Sequence, residues 1–103
     1  MPNIIPRPIR VNNRVVPVFD ELDDALEYAG PLCVLAEPRN GLAEISWVGA
    51  PPGTRTALED LVRRESLYGT QGFYGDSGLI RDVPLSRVKV VCSTICDITG
   101  IRP

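Results

Sequence analysis

An Asn-Gly pair at residues 40–41 sits between two apolar runs, 32–37 and 42–48. Asn-Gly is the strongest short signal for a β-hairpin, because both residues accept the positive φ that a tight reversal between twisted strands demands. The first run, Leu32-Cys33-Val34-Leu35-Ala36-Glu37, reads as a buried strand. In the second, alternation places Ala43, Ile45 and Trp47 on one face and Leu42, Glu44, Ser46 and Val48 on the other. The first set is apolar enough to face a core. With a hairpin fixed at its centre, a chain of 103 residues is one domain built around a sheet.

The flanking segments extend this pattern. Pro2, Pro6 and Pro8 make residues 1–8 an extended arm ahead of a single α+β domain over 9–103. Asn12-Asn13 separates two short apolar stretches and predicts another hairpin, with Pro17 leaving its second strand short or at an edge. Asp20 is placed to cap a first helix whose apolar stripe is Leu22, Ala25, Leu26 and Ala29, stopped by Gly30-Pro31. Thr56 and Glu59 have capping-box spacing, and Leu58, Leu61 and Val62 form the inner stripe of a second helix ending by Gly69. Four glycines in residues 69–78 predict a long mobile loop, followed by a short strand at Leu79-Ile80. Val88, Val90, Cys92, Thr94, Cys96 and Ile98 alternate with their neighbours and predict a final strand over 87–98. The expected fold is α+β: a small mixed or antiparallel sheet of two hairpins plus a C-terminal strand, with two helices on one face. Two orders are open, a ferredoxin-like βαββαβ arrangement and a more irregular sheet.

Composition excludes several function classes. The net charge is −2, from 11 basic and 13 acidic residues, which argues against a dedicated nucleic-acid binder. Ten of the eleven bases are Arg, suited to bidentate recognition of anions, but they are scattered as coding bias alone would leave them. No apolar run reaches the ~20 residues of a membrane span, and the opening residues lack the pattern of a signal peptide. The expected location is therefore cytoplasmic, where Cys33, Cys92 and Cys96 stay reduced. There is no His, which removes Ser-His and Cys-His dyads and His-ligated zinc.

The leading candidate site lies in the Gly-rich segment: Tyr68, Gly72, Phe73, Tyr74 and Asp76. Glycines let backbone approach a partner closely, and exposed aromatics anchor contacts at low entropy cost. The competing reading has Phe73 and Tyr74 folding back to plug the core. Gly69, Gly72 and Gly75 are regularly spaced, but no helix follows at once to cradle a phosphate. On a strand, Cys92 and Cys96 lie ~13 Å apart and cannot bridge. Cys96 and Arg102 match the C-x5-R spacing of a phosphate-binding nucleophile, yet no helix N-terminus follows to hold the anion. Asp20, Glu21, Asp23, Asp24 and Glu27 crowd the first helix, either as a solvated face or as a surface for an Arg-rich partner. Nothing pairs Glu37, Glu44, Asp76, Asp82 or Asp97 into an acid–base couple, and Asp76 with Asp82 makes no metal site. Trp47 is expected in the core against the second helix, with its indole N–H at the sheet edge.

The expectation is a non-enzymatic binding or regulatory protein acting by protein–protein contact, with no cofactor, no metal and no membrane attachment. A domain of this kind fits an accessory or inhibitor protein of a phage or other mobile element. Exposed sheet edges and a free arm also invite a homodimer. Two alternatives stand beside it: a small-ligand sensor with its pocket between the sheet and the Gly-rich segment, and a Cys-dependent enzyme.

Overall fold

A computed structural model describes residues 8–37 and 39–103. All but the last residue of the expected arm lies outside the described residues. In chain order the elements are β1 (Ile9–Val11), β2 (Arg14–Val16), β3 (Val18–Phe19), α1 (Leu22–Glu27), β4 (Leu32–Glu37), β5 (Leu42–Trp47), α2 (Arg55–Glu65), β6 (Gln71–Tyr74), β7 (Ser77–Pro84) and α3 (Val88–Thr99). A 3-10 turn at Leu85–Arg87 leads into α3.

Both expected hairpins form. Asn12 and Asn13 have φ of 52° and 64°, the left-handed pair of a type I′ turn, and join β1 to β2 as a separate two-stranded ribbon. β4 and β5 pair antiparallel from Leu32↔Trp47 to Glu37↔Leu42. The main sheet has the order β3-β4-β5-β7-β6, with β3 parallel to β4 and every other pair antiparallel. This is the irregular α+β sheet of the two orders open to the sequence.

One face of that sheet carries Leu32, Val34, Ala43, Ile45, Trp47, Ile80 and Val83 into a single core. α2 covers it with Leu58, Leu61 and Val62, the stripe expected from its spacing. The second covering element is α3, and here the expectation of a C-terminal strand is corrected. Val88, Val91, Cys92, Ile95, Cys96 and Thr99 are the buried residues, at i, i+3, i+4, i+7, i+8 and i+11. The same valines and cysteines satisfy a period of two, and their β-branching favours a strand locally. Burial of a full helical stripe outweighs propensity differences of a few tenths of a kcal/mol per residue. Gly100 ends the helix with φ 76°, its N–H donating to the Cys96 carbonyl at 2.7 Å.

The first helix departs from expectation in extent and in orientation. It begins at Leu22, with Glu21 rather than Asp20 at the N-cap and no side-chain capping bond. The chain must return from β3 to a parallel β4 within residues 20–31, near the minimum for a crossover, so only six residues are helical. None of them is buried. The apolar stripe expected to face the core instead leaves Leu22 55% and Leu26 72% exposed.

The Thr56 capping box is absent, because α2 starts at Arg55 behind Thr54, whose hydroxyl donates to the Pro51 carbonyl at 2.8 Å. Asp60 accepts from both Arg63 and Arg64 at 3.1 Å, and Glu59 lies 3.6 Å from Arg55. The end of α2 is tied to the 3-10 turn by Arg87, which donates to both Glu65 oxygens at 3.0 and 2.8 Å. That guanidinium holds the Glu65 carboxyl below its ordinary value of 4.5. A depressed carboxylate stabilises the fold fully above the unfolded-state value and stops doing so as acid protonates it through the lower folded-state value. The stability difference between wild type and Glu65→Gln is therefore expected to be constant near neutrality and to vanish on titration below pH 4.5, measured by urea unfolding at a series of pH values.

Candidate functional site

The segment expected to be a mobile loop is an ordered hairpin. β6 pairs with β7 from Gln71↔Ile80 to Tyr74↔Ser77, closed by a two-residue turn at Gly75-Asp76. Gly75 has φ 62°, the glycine-first geometry of a tight hairpin turn. Gly72 and Gly78 thus serve close packing, while Gly69 and Gly75 supply left-handed backbone. A Cβ on Gly78 would sit 2.5 Å from Cζ2 and 2.8 Å from Cε2 of Trp47, so the indole lies directly across β7.

The five expected binding residues divide by position. Gly72, Phe73, Tyr74 and Asp76 belong to the hairpin, and Tyr68 lies in the segment leading into it. Tyr68 and Tyr74 are 77% and 69% exposed. The Tyr74 ring lies over Gly72, 3.1 Å from where a Cβ would stand. Phe73 points the other way and packs on the core, edge-on to Trp47 at 6.0 Å, with the Arg55 guanidinium 4.6 Å above its ring. Plugging the core therefore describes Phe73, and solvent exposure describes Tyr74. The Asp76 carbonyl accepts from the N–H groups of Gly49 and Ala50 at 3.1 and 2.9 Å, fastening the hairpin tip to the loop before α2.

Trp47 is in the core as expected, but its indole N–H is buried and has no partner among the described residues. The ring also borders a cavity of about 260 Å³ lined by Pro51, Pro52, Arg55, Phe73 and Asp76. That is where the ligand-sensor reading put its pocket, and it falls below the roughly 300–1,000 Å³ of most small-molecule sites.

A second concavity, about 530 Å³, opens on the opposite face of the sheet between α1 and β7, with Leu22, Leu35, Leu42, Glu44, Thr70 and Arg81 among its walls. Its geometry depends on a β-bulge. Ala43 pairs with Val83 and Ile45 with Ile80, so Glu44 faces both Arg81 and Asp82. Asp82 takes up the extra residue in the left-handed region at φ 59°. Its carboxylate accepts from the Thr70 hydroxyl at 2.8 Å, and its carbonyl accepts from the Leu67 N–H at 2.9 Å. Arg81 reaches across to donate to Glu44 at 2.7 Å. Sequence reasoning missed this groove. The available hint was an acidic residue breaking the alternation after Leu79-Ile80.

The thiols occupy two environments. Cys92 and Cys96 are buried in α3, and desolvation pushes the Cys92 thiol up to about 12. Cys33 lies on the opposite face of the sheet, half-buried, 3.1 Å from the Ser46 hydroxyl, and desolvation raises its thiol as well. A nucleophile needs thiolate at working pH, which such surroundings oppose. With a small alkylating reagent at neutral pH, Cys33 is expected to label well ahead of Cys92, and Cys92 only at the rate of unfolding. Prompt native-state labelling of Cys92, followed by mass spectrometry of peptides, would contradict this placement.

Among the described residues no group of three or more His, Cys, Asp or Glu side chains could hold a metal ion. No helix among them is long and apolar enough to cross a membrane. No protein-family model, curated protein or solved structure matches the chain.

Proposed function

We propose that the protein is a contact domain that takes up an extended segment of a partner protein along β6, by strand addition. The observation that supports this reading is the contrast between the two edges of the main sheet. β3 is two residues long and lies between Pro17 and the acids Asp20 and Glu21, the usual protection against edge pairing. β6 has none of these guards: Gly69-Thr70-Gln71-Gly72-Phe73-Tyr74-Gly75 contains no charge and no proline. The Arg81 N–H donates to the Thr70 carbonyl at 3.0 Å, so alternation turns Thr70, Gly72 and Tyr74 toward β7. Gln71 and Phe73 then present their backbone groups outward. Tyr68 and Tyr74 flank this edge as exposed anchors, the roles anticipated for them, while Phe73 and Asp76 shape the cavity beside it.

The direct test is Gln71→Pro. It deletes one outward donor and no ladder bond, so the melting temperature is expected to stay close to wild type while partner binding is lost. Tyr74→Ala is expected to weaken binding by about tenfold or more without unfolding the domain. In the complex, the Gln71 and Phe73 amides gain protection from hydrogen exchange. A partner that binds the Gln71→Pro protein with unchanged affinity overturns the reading. Pairing between two copies through the same strand is the other outcome, visible as a concentration-dependent dimer that this substitution dissociates.

A further inference from the structure

We infer that the face of the main sheet turned away from α2 and α3 is a second docking surface, one that receives a basic amphipathic helix of a partner protein. On an antiparallel sheet the solvated face ordinarily alternates to polar residues. Here it carries Phe19, Cys33, Leu35, Leu42 and Leu79, all half-buried and all outside the core. Leu22 closes one side of the groove above Leu35 and Leu42, and Leu26 stands exposed on the same helix. Among the described residues, the helix layer that covers the core face has no counterpart on this side apart from the six residues of α1.

Charge selects the occupant. Between Arg14 and Arg39 the chain has no Lys or Arg. Asp20, Glu21, Asp23, Asp24, Glu27 and Glu37 fall in that interval, and none of them forms an ion pair among the described residues. Among the described residues the one base lining the groove, Arg81, is already held by Glu44. Glu37 lines the groove, and Asp23, Asp24 and Glu27 stand on the short helix whose Leu22 walls it. A second copy would set these acids against one another, and an anionic lipid surface or a nucleic acid would be repelled by them. A helix with an apolar stripe and flanking Lys or Arg side chains satisfies both the leucines and the acids, because the long basic side chains cover apolar surface while placing their charges at the rim.

The probe is a Leu/Lys peptide of about 15 residues, four helical turns, added to the full chain and followed by amide chemical shifts and calorimetry. Shifts are expected at Leu22, Leu26, Leu35 and Leu42. Leu26→Lys, at an exposed position that does not support the fold, is expected to weaken binding by at least about tenfold, through lost apolar burial and added like charge. Affinity falls as salt rises, and a Leu/Glu peptide of the same pattern does not bind. Gln71→Pro leaves all of this unchanged, which separates this surface from the β6 edge. Equal binding of the Leu/Lys and Leu/Glu peptides, indifference to Leu26→Lys, or shifts confined to other surfaces would overturn the inference.

Discussion

Ile95→Ala is expected to lower the unfolding free energy by about 2–5 kcal/mol, and Val90→Ala to change it by less than about 0.5 kcal/mol. Ile95 is fully buried in the middle of α3, among the side chains that close the core over β5, whereas Val90 is 45% exposed. Truncation at Ile95 removes three carbons and leaves a hole that the surrounding Leu and Val residues fill only in part. At Val90 the removed methyls already face water. The pair separates the helix from the strand that the alternating pattern suggests, since a strand puts Val90 on the same face as Val88 and Cys92 and Ile95 on the other. Urea unfolding of the two variants decides it. A larger loss for Val90→Ala than for Ile95→Ala would mean that the helical register is wrong.

Gly78→Ala is expected to cost about 1–3 kcal/mol, unusual for adding a single methyl to a strand, where alanine normally does better than glycine. The new carbon meets the Trp47 ring at 2.5 Å and the Gly72 carbonyl at 3.1 Å. Phe73 abuts the ring and the residue is 2% exposed, so the ring can give way only toward the small cavity it borders. A double-mutant cycle with Trp47→Phe checks the cause. The smaller ring makes room, so the penalty of Gly78→Ala shrinks in that background and the coupling exceeds about 0.5 kcal/mol. Additive effects would place the strain elsewhere.

These two sites also mark where local reasoning stops. The hairpin at Asn40-Gly41, the Asn12-Asn13 turn and the inner stripe of α2 were legible because each is specified by residues within a few positions of one another. α3 was not, since Val88 to Ile98 satisfies both periodicities and only the sheet beneath it chooses between them. The glycines of 69–78 point to mobility, but the need for Gly78 depends on Trp47, a residue brought next to it by the sheet. For the site, exposure of Tyr68 and Tyr74 was readable, and the inward turn of Phe73 was one of two open readings. The bulge at Asp82 and the groove it shapes required knowing that Glu44 lies opposite.

β1 rests on α3, so that Asn12 comes within reach of Ser93 across 81 positions of sequence. A ribosome that has made the ribbon and the sheet has delivered only the α2 half of their roof, and the part of the core that α3 closes over β5 stays wet until residues near 99 emerge. Assembly is accordingly a late, all-at-once event governed by distant contacts rather than a progressive one. During synthesis the apolar floor is open to chaperones and to neighbouring nascent chains for longer than in a domain whose elements pack in the order they are translated.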